Sequence, residues 1–128
     1  MQSFPIWTEN HGAAVPELPG IFWLKNETTG AIQVGTAANL RAQYAQWHSK
    51  RRCTESRLRR LVGQLMADEL LSAPQDSWRF IVIVADAALT LDQLHEGEVR
   101  AIKRVIDSGA RCLNATFNGG KAIYNLPR

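Results

Sequence analysis

The stretch GIFWLKNETTGAIQVGT, from Gly20 to Thr36, decides the fold. GIFWLK reads as a strand, ETTG as a turn closed by Gly30, and AIQVGT as a second strand, so the pair forms an antiparallel hairpin. Downstream, Asn39 to Ser49 reads as a helix, with Leu40, Tyr44 and Trp47 on one face and Asn39 or Thr36 as its cap. Thr54 or Ser56 opens a longer helix with the apolar stripe Leu58, Leu61, Val62 and Leu65, continuing to Met66, Glu69 or Leu70 and ending before Pro74. WRFIVIVA, Trp78 to Ala85, is a continuous apolar run that suits a central strand covered on both faces. A last helix runs from Thr90, its cap, to Ser108, and stops at Gly109. The order strand, strand, helix, helix, strand, helix predicts an α+β fold: a small three-stranded antiparallel sheet near Ile21, Val34 and Ile81, flanked by helices. Upstream of the hairpin, residues 1–18 read as an irregular N-terminal arm to a domain spanning 19–128. The arm's Phe4, Ile6 and Trp7 are too apolar for a solvated tail and are expected to pack on the domain or on a partner.

The whole chain has 128 residues, 45% hydrophobic and 21% charged, which suits one globular domain with a real core. No apolar run approaches the roughly 20 residues of a membrane span, and the first residues lack a secretory pattern, so no membrane contact and a cytoplasmic location are expected. Cys53 and Cys112 have no metal-ligand spacing. The net charge is only +3. Its distribution says more: KRRCTESRLRR places Lys50, Arg51, Arg52, Arg57, Arg59 and Arg60 beside a single acid, Glu55. Such a run is either a solvated face or a patch that attracts phosphate backbones by counterion release. There is no GxxxxGK[ST], HExxH or GxSxG motif, and the NGG from Asn118 to Gly120 follows no expected strand, so no nucleotide cofactor is expected.

One residue breaks the pattern of the last helix. Glu98 stands four residues after Leu94 and four before Ile102, on the inward stripe that Ala101 and Val105 extend. A carboxylate there is costly unless it is paired, coordinated to a cation or open to a cleft, and its alternative is a stripe-edge residue whose head reaches water. Glu96 lies about 200° away around the helix and pairs with Arg100 on the solvent side.

The motifs GIF (Gly20 to Phe22), QVG (Gln33 to Gly35), NLRAQYAQWH, Glu98 with Ile102 four residues on, Leu113-Asn114 and NGG occur in one order and spacing over Pro19 to Gly120. In that order they resemble the GIY-YIG nuclease superfamily. The resemblance implies a small sheet with flanking helices and a metal-dependent cut of a DNA phosphodiester. It implies a site of two hairpin tyrosines, a first-helix arginine, a metal-binding glutamate and a late asparagine. Glu98 and Asn114 match. Phe22 and Gln33 stand where the tyrosines belong, and Gln43 where the arginine belongs. Arg41 faces elsewhere on its helix, Tyr44 and Tyr124 lack the hairpin spacing, and His48 reads as a surface residue at a helix end.

The resemblance therefore implies a degenerate member, a non-catalytic nucleic-acid-binding module that uses Lys50 to Arg60 on DNA. Its alternatives are a metal-dependent DNA endonuclease rearranged around Glu98, and a protein scaffold or assembly component contacting a protein partner through the N-terminal arm. Cofactors are expected to be none, or a weakly bound Mg²⁺ on Glu98. If the family arrangement holds, Phe22, Gln33 and Glu98 converge.

Overall fold

The computed structural model describes the backbone of residues 2–118 and 121–124 and the side chains of residues 2–114. The main sheet has four strands rather than three, in the order β1 (Gln2–Pro5), β4 (Trp78–Ala85), β2 (Gly20–Asn26), β3 (Ile32–Ala37), every neighbouring pair antiparallel. The hairpin β2–β3 forms as expected, with Trp23 opposite Val34 and Leu24 opposite Gln33. Its turn is closed by a 2.7 Å bond from the Gly30 N–H to the Asn26 carbonyl.

The extra strand comes from the segment expected to be irregular. Phe4 of β1 sits opposite Phe80 of β4, 76 residues further along the chain. Four residues ending in a proline carry no local strand signal, and Pro5, which has no N–H, is tolerated because β1 is an edge. Phe4, Ile6 and Trp7 are all buried in the chain's own core, so of the two expected packing sites, this domain or a partner, they take the domain. Three side chains of α1 (Leu40–Ser49) hold this segment. The Tyr44 hydroxyl donates to the Pro5 carbonyl at 2.5 Å, and His48 Nδ1 donates to the Ile6 carbonyl. Arg41 donates to the Val15 carbonyl at 2.8 Å and pairs with Glu17.

Alternation along the strands divides the core into two layers. On one face Phe4, Phe22, Leu24, Phe80 and Val82 meet α1, α2 (Glu55–Val62) and α3 (Gln64–Leu71). Phe22 stacks on Phe80 with ring centroids 4.6 Å apart, and its ring lies so close over Gly35 that a Cβ there would come within 2.4 Å of it. On the other face Ile21 and Val34 meet Leu94, Ile102 and Val105 of α4 (Leu91–Asp107). This helix begins at Thr90 in a capping box with Gln93. The inner strand β4 is thus covered on both sides over Phe80 to Val82, as its apolar run requires, while Val84 near its end is 40% exposed.

One expected helix is two. The run that opens at Thr54, whose hydroxyl accepts from the Arg57 N–H, ends at Val62, and α3 starts again at Gln64. Between them Gly63 has φ +86°, outside helical space. The break resets the stripe. Leu58, Met66 and Leu70 are buried, but Leu61 and Leu65 are 54% and 40% exposed.

The free edge of β3 is covered by the chain after α4, where the Ile32 N–H donates to the Arg111 carbonyl and the Leu113 N–H to the Ile32 carbonyl. A second hairpin, β5 (Ala115–Asn118) and β6 (Lys121–Tyr124), follows. A strand therefore does lead into the NGG motif, of which Gly119 and Gly120 lie outside the described residues. Among the described residues no helix is long and apolar enough to cross a membrane.

Candidate nucleic-acid interface

Glu98 points inward as its position on the stripe demands, and it is 1% exposed. Burial among Leu94, Ile102 and the sheet raises its pKa above the ordinary range, and a hydrogen bond with Thr36 and the nearby His95 offset part of that rise. Its Oε1 is buried without a partner. These surroundings do not suit Mg²⁺, which keeps several waters and takes more than one carboxylate or a phosphate. Among the described residues no group of three or more His, Cys, Asp or Glu is placed to hold a metal ion.

The other residues that the family pattern brings together are apart. Thr36, opposite Ile21 in the hairpin register, belongs to the α4 face, and so does Glu98. Phe22 and Gln33 belong to the α1 face, Phe22 within the aromatic core and Gln33 opposite Leu24. Gln43 is half-buried on α1. The expected convergence of Phe22, Gln33 and Glu98 is absent, because residues of opposite parity in a strand leave opposite faces of the sheet. Asn114 is engaged otherwise: its Oδ1 accepts from the Val34 N–H and its Nδ2 donates to the Val34 carbonyl at 2.9 Å. It acts as a side-chain extension of the sheet edge, with both polar atoms occupied.

The basic run divides into two sets. Lys50 lies over the Trp47 ring, 4.6 Å from its centroid, and burial lowers its ammonium pKa while the nearby Cys53 acts the other way. Arg51 donates to His48 Nε2, which is free to accept because Nδ1–H is given to Ile6. His48 is therefore a half-buried link between the N-terminal segment and the basic run rather than a surface residue. Arg59 is clamped by Glu55 at 2.8 Å and Asp68 at 2.6 Å. By contrast Arg52, Arg57 and Arg60 are exposed, and none of their side chains has a hydrogen bond or ion pair among the described residues.

Two surface hollows adjoin these cations. A groove of about 490 Å³ between the end of α1 and α2 is lined by Lys50, Arg52 and Arg57, the hydroxyls of Ser49 and Thr54, and exposed Leu61. A cavity of about 210 Å³ beside it shares Lys50 and Cys53 with the groove and is walled by Trp7, Leu58, Leu70, Leu71 and Ala73, with Arg51 and Gln75 also lining it. The sequence pattern places Leu61 in the core stripe and offers no sign of the cavity, whose walls come from four separate segments. The one available signal is Gly63, which interrupts the helix after Val62.

No family model, no curated protein and no solved structure matches this chain.

Proposed function

We propose that this chain is a non-catalytic nucleic-acid-binding module on a GIY-YIG-like scaffold, and that it grips phosphate backbones through Arg52, Arg57 and Arg60. The observation that carries the reading is that these three guanidinium groups stand exposed and unpaired, with Arg52 and Arg57 lining one groove, whereas Arg51 and Arg59 are engaged within the chain. Guanidinium forks match phosphate oxygens, and a half-buried ammonium such as Lys50 recovers lost solvation from an anion beside it. Binding without cutting is supported by the chemistry at the family positions. Phe22 has no hydroxyl and is stacked in the core, Asn114 is occupied by Val34, and Glu98 lies on the opposite face of the sheet.

Fluorescence anisotropy with labelled DNA at 50 and 200 mM salt tests this. Three phosphate contacts give a log–log slope near −2.7, so the affinity falls by about 40-fold over that interval. The triple variant Arg52→Ala, Arg57→Ala, Arg60→Ala removes most of that slope and leaves the fold intact. No binding at 50 mM salt, or unchanged binding by the triple variant, overturns the proposal. Metal-dependent turnover of DNA that disappears in Glu98→Ala replaces it with the nuclease.

A further inference from the structure

The groove and the cavity are neighbours with different chemistry. One presents cations and hydroxyls, the other an indole and aliphatic walls with Arg51 and Gln75 beside them, and Lys50 and Cys53 line both. We propose that together they form a site for one unpaired nucleotide, with the phosphate on Arg52 and Arg57 in the groove and the base in the cavity against Trp7, Leu58 and Leu70. The partner is then a single-stranded nucleic acid, and this identification rests on the nucleic-acid reading above.

Size supports the division. An apolar cavity of about 150 Å³ accepts a benzene ring, so the 210 Å³ here holds one planar heterocycle and not a base pair. A base reaches such a cavity only when it is unstacked and unpaired, which costs least in a single strand. Among the described residues none of the large exposed apolar side chains is aromatic, so the outer surface offers no stacking platform and the cavity is where a base finds an aromatic wall. Leu61, exposed in the groove, is a wall for the sugar. Gln75 supplies an amide at the cavity that can meet a base edge.

The experiment compares a labelled single-stranded DNA oligomer with its own duplex by anisotropy at one salt concentration. The single strand binds about tenfold tighter, as one stacked base implies. Ala73→Trp fills the cavity from the bend that follows α3 and abolishes the preference, bringing the single strand down to the duplex's affinity. Gln75→Trp, from an exposed position on the same rim, serves where Ala73→Trp does not fold. Equal binding of strand and duplex by the natural chain overturns the nucleotide site and leaves the phosphate-grip reading standing, as does a preference that persists when the cavity is filled. Absence of binding to either form overturns both.

Discussion

At Glu98 the chain accepts a cost that its sequence announces. A glutamate on an apolar helical stripe, 1% exposed and with one carboxyl oxygen unpartnered, is held above the ordinary carboxylate range by burial, with the Thr36 bond and His95 working against it. A group whose folded pKa is raised supports folding while protonated. Its contribution is present below the unfolded value of about 4.3 and is lost as the pH rises from there through the raised folded value. Glu98→Gln keeps the shape and the bond to Thr36 and removes the charge. The melting temperatures of the variant and the natural chain should therefore coincide near pH 4 and separate in favour of the variant toward pH 8. A gap of opposite sign at pH 8 would mean that the charged form is the one the fold prefers. The inward placement of Glu98 was legible from periodicity alone, since helical spacing needs only the helix and its neighbours. That Thr36 meets it and Phe22 does not depends on strand parity relative to a distant helix. Motif order carries no information about that.

Among the elements, the legible ones are those with a long local signal: the hairpin, the apolar run of β4, and the capped helices α1 and α4. The split between α2 and α3 turns on a single glycine inside an otherwise continuous apolar stripe, and such a residue is tolerated in a helix at a cost of about 1 kcal/mol. Its φ of +86° decides the matter only in three dimensions. The covering of β3 was equally hidden, because Asn114 bonds to Val34 80 residues away in the chain. Asn114→Ala strips the buried Val34 peptide groups of both partners. It should cost at least about 2 kcal/mol in chemical denaturation, since each unsatisfied buried group carries a penalty of about 1–3 kcal/mol. A loss within 0.5 kcal/mol or so would assign Asn114 a role other than edge support. Asn114→Asp should be destabilising too, because it sets a carboxylate against the Val34 carbonyl.

For the molecule as a whole, the N-terminal segment is a structural member. It supplies an edge strand and places Phe4, Ile6 and Trp7 in the core, where Trp7 donates to the Trp47 carbonyl at 2.8 Å. Removing residues 1–7 withdraws three large buried side chains, each contributing about 1.5–3 kcal/mol, which together rival the 5–15 kcal/mol by which domains are stable. The truncated chain should show no cooperative thermal transition by circular dichroism. A sharp melt near that of the full chain would return the segment to the status of an appendage. Trp7 also walls the cavity beside the groove, so the segment joins the stability of the sheet to the shape of the proposed binding surface.

The strand order carries a consequence for biosynthesis. β1 is made well before its partner β4, which begins only at Trp78, and the Phe4–Phe80 pairing closes a loop of 76 residues. During synthesis at about 5–20 residues per second, this segment waits several seconds for β4, with Phe4, Ile6 and Trp7 uncovered. The hairpin and α1 are complete before β4 is made, so β1 precedes them in synthesis and follows them in folding. That interval is when a chaperone would find this chain most in need of company.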